Sequence, residues 1–250
     1  MPRFFVSPGQ IGIRDNGEKT VMISGDDAVH ITKSLRMKPG ESITVCDTDG
    51  VEYDCEIVSV GEVVIADVKD SRLSGGEPPY KAVLYQALIK GDKFDTVVQK
   101  AVESGVSVIY PVLTSRCVVR LDKKDCLKKI SRWQRIADEA AKQCGRGSLV
   151  RIGELMTFRE AVADAAAADV SLFCYEEESA VSLKGILSEN GSPGTVSVMI
   201  GSEGGFSPEE ASYAKDAGMK SVGLGNRILR TETASSFVLA CLSYEYEMSK

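Results

Sequence analysis

Two short stretches near the carboxyl end bring together residue types that chemistry can use. Gly201-Ser202-Glu203-Gly204-Gly205-Phe206 follows the apolar run "TVSVMI", and Gly225-Asn226-Arg227-Ile228-Leu229-Arg230 follows "KSVGL", with Glu232 two residues beyond. Glycine lacks a Cβ and accepts positive φ, so such loops present backbone N–H and C=O groups at close range to a ligand. A phosphate loop would add cations to that backbone, whereas the first stretch carries Glu203. A neutral or cationic ligand suits it better, and a nucleoside is compatible. Neither stretch has the first-strand position and the later acidic residue of a dinucleotide fingerprint. The competing reading is a pair of tight turns. Two such loops after neighbouring strands favour a site, because ligands of α/β sheets lie beyond the carboxyl ends of strands.

The elements that must position these loops read as α/β. "KAVLYQAL" is a buried strand, "DKFDTVVQKAVESG" an amphipathic helix with Asp92 as its cap and Gly105 as its stop, and "VSVIYPVL" the next buried strand, a βαβ unit of a parallel sheet. A long helix over about 123–144 places Leu127, Ile130, Trp133, Ala137, Ala140 and Cys144 on one stripe. Strands "VSLFCYE", "TVSVMI" and "KSVGLG" follow, and Ser207-Pro208-Glu209-Glu210 starts a helix as a capping box. The last helix, near 232–247, has its stripe at Ala234, Phe237, Val238 and Cys241.

Residues 1–72 have a different period. "TVMI", "SITVCD", "VEYDCEIVSV" and "VVIADV" alternate as short strands, the middle pair joined across Asp49-Gly50, which predicts a small β-barrel or sandwich. "DDAVHITKSLRM" interrupts them with helical spacing at Val29, Thr32 and Leu35. The Gly/Pro-rich "DSRLSGGEPPY" links this part to a second domain over 73–250.

Composition narrows the chemistry. The chain has 250 residues, 26% of them charged, and a net charge of −6. It contains one histidine, His30, far from both loops, and seven cysteines with no CxxC. Zinc chemistry, a Ser-His-Asp triad and a disulfide framework therefore have no support. No GxxxxGK[ST] loop is present, and no apolar stretch is long enough for a membrane span, so the expectation is a metal-free cytoplasmic protein. The charge is uneven: residues 115–151 carry a local net charge of +7, and residues 1–75 carry −5. A basic helix of this kind can neutralise RNA phosphates even in an acidic protein, against the plainer reading of a solvated face.

"IGSEGGFS" together with "LGNRILRTETA" resembles the bacterial 16S ribosomal RNA uridine-N3 methyltransferase family of the SPOUT class. The likeness extends through "QALIKGDKFDTVVQKAVESGV", "TSRCVVR", "RWQRIADEAAKQCGR", "MPRFFV" and "HITKSLRMKPGE", nearly the whole chain. Membership implies an amino-terminal PUA-like β-barrel that binds RNA, a carboxyl-terminal SPOUT α/β domain ending in a trefoil knot, and a homodimer acting on 16S rRNA with S-adenosylmethionine. The cofactor would meet Gly201, Ser202, Glu203 and Gly204, then Leu224, Gly225, Asn226, Ile228, Leu229 and Arg230. Ser202 stands where the family usually has proline.

Methyl transfer to a uracil N3 needs alignment and loss of the N3 proton. Arg230 is the first candidate to stabilise charge developing on the uracil, since a guanidinium stays ionised and offers several donors. Glu203 or Glu232 could accept a proton or anchor an arginine, and Arg146 in "QCGRG" is a further catalytic or RNA-binding candidate. Lys123, Lys124, Lys128, Lys129, Arg132, Arg135 and Arg36 are the expected RNA contacts. The rivals are a non-catalytic RNA-binding assembly factor and a SPOUT methyltransferase with a different RNA target.

Overall fold

The computed structural model describes residues 1–14, 17–119, 121, 123–178 and 181–248, without the side chain of Lys123. The chain divides into two compact units, Met1–Glu77 with Ala141–Leu149, and Pro78–Ala140 with Val150–Lys250. The break falls at Glu77/Pro78, five residues beyond the position read from the linker, and a later segment joins the first unit.

In the first unit, β1 (Arg3–Phe5), β2 (Ile11–Ile13), β3 (Lys19–Ile23), a one-turn α1 (Asp26–Val29), β4 (Ser42–Cys46), β5 (Val51–Ser59) and β6 (Val64–Leu73) build one sheet in the order β1-β4-β5-β6-β3-β2. Only β1–β4 is parallel. Period-2 alternation in these strands sends Phe4, Val21, Ile23, Ile43, Val45, Ile57 and Val64 into one core. Irregularities at Asp54/Cys55 and Ile57/Ser59 interrupt the β5–β6 ladder, and such bulges bend a strand. Among the described pairings none joins the two edge strands β1 and β2, so a mixed six-stranded sheet is what is observed.

The helical segment after β3 buries Ala28 and Ile31, while Val29 and Leu35 are exposed. The expected stripe at Val29, Thr32 and Leu35 is therefore the outer one. The turn widens over His30–Ser34, where the Leu35 amide reaches back to the His30 carbonyl, a five-residue span that rotates the side chains off α-helical spacing.

The second unit is a parallel sheet. Its elements are β7 (Lys81–Ala87), α2 (Lys93–Glu103), β8 (Val106–Leu113), α3 (Lys123–Cys144), β9 (Arg151–Ile152), β10 (Met156–Thr157), α4 (Phe158–Ala165), β11 (Val170–Cys174), α5 (Leu183–Glu189), β12 (Thr195–Ile200), α6 (Pro208–Asp216), β13 (Lys220–Val222) and α7 (Thr231–Tyr246). The strand order is β10-β8-β7-β12-β11-β13, with β9 also on β8, and every pairing is parallel. All of β11 and nearly all of β12 are buried, as strands covered on both faces must be. The two strands that carry the glycine loops are not adjacent, because β11 lies between β12 and β13. The chain then returns from β13 to pack α7 against α2, β7 and β12.

Helix α3 buries Cys126, Trp133, Ala137, Ala140 and Ala141 and leaves Leu127 and Cys144 exposed. Trp133 sets that face: it stacks on Phe94 at 4.0 Å between centroids and donates to Asp95 at 3.1 Å. In α7, Ala234 and Val238 are buried as expected, but Phe237 is 40% exposed. Asp92 makes no side-chain cap on α2; its carboxylate meets Arg132 at 3.3 Å.

Candidate active site

The loop after β12 is closed on itself. The Gly205 amide donates to the Ser202 carbonyl at 3.0 Å, with Gly205 at φ +66°, a conformation that favours glycine. Phe206 then plugs the loop into the core against Phe173, 4.3 Å between centroids, and Phe158. Ser207 and Glu210 form the expected capping box, and Glu210 also accepts from the amide and hydroxyl of Ser115 at 2.7 and 2.9 Å.

Glu203 is tied into this architecture through one carboxylate oxygen. Its Oε1 accepts from the Lys90 amide at 3.1 Å and lies 3.6 Å from the Lys93 ammonium. Burial pushes its carboxyl up, but the amides of Lys90 and of Glu203 itself, with the Lys93 charge, outweigh that and hold it below the usual carboxylate range. The neighbouring Gly204 carbonyl accepts from Arg116 at 3.0 Å. A carboxylate so held is a weak proton acceptor and a good loop anchor.

Behind the loop lies a buried polar junction. Gln86 donates from Nε2 to the Thr231 hydroxyl at 2.9 Å, and that hydroxyl donates to the Gly201 carbonyl at 2.6 Å. The Gln86 orientation is fixed, since Nε2 also faces the carbonyls of Ala87 and Gly201, which can only accept. This chain ties the end of β7, the loop after β12 and the first residue of α7. Around it, Gln86 Oε1, Ser202 Oγ and Glu232 Oε2 are inaccessible to solvent and meet no hydrogen-bond partner among the described residues. Buried polar groups are nearly always answered, so three such atoms on elements that the junction ties together make this the candidate place for a polar ligand.

The second loop is open. Gly225 sits at φ +91° with free space where a Cβ would project, Asn226 and Arg227 are exposed, and Ile228 is 90% exposed. Leu224 and Leu229 are half-buried. Just ahead of them, a Cβ on Gly223 would come within 2.2 Å of the Glu178 carbonyl, so the entry to this loop has room only for glycine. Arg230 caps α7 with its backbone: its carbonyl accepts from the amides of Thr233 and Ala234 at 2.9 and 2.8 Å. Its side chain is exposed and pairs with no described residue.

Arg146 is placed otherwise. It belongs to the first unit, is 4% exposed, and its Nε and Nη2 grip both carboxylate oxygens of Glu77 at 2.8 and 2.7 Å. Burial would raise the Glu77 carboxyl, but Arg146, Ser148 and the Gly147 amide hold it below the usual range. A guanidinium held at two points by one carboxylate is fixed in place, which suits a structural role.

Of the basic residues on α3, Lys124, Lys128 and Arg135 are exposed, and Lys129 lies 5.9 Å over the Trp133 ring. Lys128 is 3.8 Å from Asp125. Arg132 is committed to Asp92 and Asp95. The side chain of Lys123 lies outside the described residues. Arg36, in the first unit, is exposed and stands at φ +54°, the one described non-glycine residue with positive φ. Sequence reasoning alone passes over Gln86, Lys90, Arg116 and Thr231. Gln86 did carry a signal, as a polar side chain inside the apolar run "KAVLYQAL".

Residues 76–243 match the family model of an RNA methyltransferase domain, and residues 23–65 match that of an RNA methyltransferase PUA domain. The chain is 32% identical over 257 residues to ribosomal RNA small subunit methyltransferase E of Bacillus subtilis, covering 99% of this chain and 98% of that one. It is 29% identical to the protein of the same name from Synechocystis, over 95% of this chain and 76% of the other. In structure it is similar to ribosomal RNA small subunit methyltransferase E from Neisseria gonorrhoeae bound to S-adenosyl methionine, with a TM-score of 0.84, 31% identity and 97% of each chain covered.

Proposed function

Because the chain belongs to the RNA methyltransferase family, with that family's PUA domain ahead of its catalytic one, we propose that it transfers a methyl group from S-adenosylmethionine to N3 of a uridine in the 16S RNA of the small ribosomal subunit. The relatives' names supply the ribosomal substrate class and the Neisseria structure supplies the cofactor. The uridine N3 comes from the motif resemblance. The observation that carries the reading is the junction of unanswered buried atoms at Gln86, Ser202 and Glu232.

The residues present fit the cofactor. S-adenosylmethionine brings an ammonium, a sulfonium and hydroxyl donors; Gln86 Oε1 can accept, and the Ser202 hydroxyl can do either. Backbone groups of 201–204 and 224–230 would hold it, and when bound it supplies an electrophilic methyl. Arg230, charged and uncommitted, serves the charge that develops on the uracil oxygens. Glu203 shapes the loop through Lys90 and Lys93 rather than moving a proton.

The same reading extends to assembly and location. The return of the chain from β13 to seat α7 on β7 and β12 suits a trefoil knot, and the mixed six-stranded sheet suits a PUA-like barrel. Thr233, Phe237, Ala240 and Tyr244 form an exposed, mainly apolar stripe on α7, with Ile228 exposed in the preceding loop, as a homodimer surface would. RNA would meet Lys124, Lys128, Lys129 and Arg135, with Arg132 in a supporting role. No described helix is long and apolar enough to cross a membrane, and the described residues hold no cluster of three or more metal-ligating side chains. The proposed site of action is the cytoplasm, where ribosomal subunits are.

Nucleoside analysis of 16S rRNA from a strain lacking this gene tests the function. Loss of one N3-methyluridine, restored by the wild-type gene, is expected. An unchanged modification pattern together with no S-adenosylmethionine binding by calorimetry would favour a non-catalytic RNA-binding factor. Binding with an unchanged uridine would point to a different RNA target.

A further inference from the structure

We propose that Glu232 is the group that takes the N3 proton from the target uridine. The inference rests on the methyltransferase reading above and assigns a step that reading leaves open. Glu232 is in the first turn of α7, next to Thr231, whose hydroxyl is locked into the junction with Gln86 and Gly201. One of its carboxylate oxygens is inaccessible to solvent and meets no hydrogen-bond partner among the described residues, as is true of Gln86 Oε1 and Ser202 Oγ. Gln86 is wholly buried and Ser202 is 6% exposed.

A buried acceptor with no donor costs folding free energy, and such a cost persists where function needs the group. Charged side chains on neighbouring elements include Arg227 and Arg230 on the loop before α7, Glu203 after β12, Glu176 against Gly205, Arg116 on the Gly204 carbonyl, and Lys90 and Lys93 after β7. Glu203 and Lys93 are occupied with each other, and no described ion pair involves Glu232. Of Glu203 and Glu232, only Glu232 therefore has an acceptor oxygen that is both buried and unanswered among the described residues.

Uracil N3 carries a hydrogen and must lose it to end as a neutral methylated imide. The N3–H proton passes to the Glu232 carboxylate, and the electron pair left on N3 forms the new bond to the methyl carbon. The methyl–sulfur bond breaks with its pair going to sulfur, which becomes a neutral thioether. Glu232 then releases its proton to water. Arg230 answers charge on the flanking oxygens while the proton is in transit.

The test is Glu232→Gln, in single-turnover methylation of small ribosomal subunits at saturating S-adenosylmethionine, from about pH 6 to about pH 9, beside cofactor calorimetry and thermal unfolding of the free protein. The expected rate loss near neutral pH is about a hundredfold or more. The loss should shrink by about tenfold per pH unit as the imide begins to ionise without help, while the wild-type rate changes less. Cofactor affinity should stay within a factor of about three, and the unfolding midpoint should not fall. Cofactor affinity reduced in proportion to the rate would make Glu232 a counter-charge and overturn the proposal. A lowered midpoint with a wild-type pH profile would make it structural and overturn it equally. A wild-type enzyme that leaves N3 unmethylated would overturn the underlying reading first, which keeps the two failures distinct.

Discussion

As sequence, Arg146 in the first unit and Arg230 in the other are equally suited to chemistry, each beside glycines and further charges, yet they meet opposite surroundings. Arg146 is buried, gripped through Nε and Nη2 by the two oxygens of Glu77, with its carbonyl receiving Arg3 at 3.3 Å. Glu77 spends its remaining capacity on the amides of Gly147 and Ser148 at 2.9 and 3.2 Å. Arg230 is exposed, with only its backbone engaged. A charge clamped by a carboxylate of its own unit helps hold that unit together, whereas one that pairs with no described residue at a loop end is available to a ligand.

Removing each arginine should separate those roles. Arg146→Ala strands a carboxylate in the first unit and should cost about 3–5 kcal/mol of stability, read as a lowered denaturant midpoint. Arg146→Lys keeps the charge without the planar fork and should recover part of the loss. A midpoint unchanged in both variants would erase the contrast. Arg230→Ala should leave the midpoint where it is and raise the methyl-transfer barrier by about 2.7–4 kcal/mol, a hundredfold or more in single-turnover rate. Unaltered single-turnover rates in Arg230→Ala and Arg230→Lys would return Arg230 to a structural role.

Acid sharpens the comparison from the carboxylate side. Glu77 is held below its ordinary range in the folded chain, so its contribution is present above the unfolded carboxyl value of about 4.3 and is lost as pH falls through the lower folded value. Glu77→Gln should therefore be less stable than wild type at neutral pH and should lose less on acidification. Thermal unfolding between about pH 7 and about pH 3 reads this, and parallel curves for the two proteins would refute it.

The smallest effect is expected at Arg36, whose positive φ costs a side chain about 1 kcal/mol. Arg36→Gly relieves that cost, so stability should hold or rise slightly while RNA affinity and its salt dependence fall. Unchanged RNA binding would remove Arg36 from the contact surface.

The parallel unit was largely legible, because "KAVLYQAL", "VSVIYPVL" and "TVSVMI" are apolar runs of strand length separated by a helical period, and each is a strand. The capping box at Ser207 was legible for the same local reason. Faces were harder: α3 offers apolar Cys126, Leu127 and Ile130 in one stretch, and periodicity alone does not say that Trp133 turns Cys126 inward and Leu127 out. Partnership across the chain was not legible at all. Glu203 engages Lys90 from 113 positions away, and Gln86 meets Thr231 across 145, so no local rule could separate an occupied carboxylate from a free one. The insertion of β11 between β12 and β13 escaped for that reason too.

The grouping of Ala141–Leu149 with Met1–Glu77 also limits how this protein can be rebuilt. The first unit is encoded in two separated pieces, and Glu77 and Arg146, its ion pair, fall on opposite sides of the gap. A single breakpoint after Glu77 would separate that carboxylate from Arg146, leaving the two halves of the pair on different fragments. Modular exchange by one crossover is thus closed to the first unit, and a graft onto another enzyme would have to carry both pieces and bridge residues 78–140.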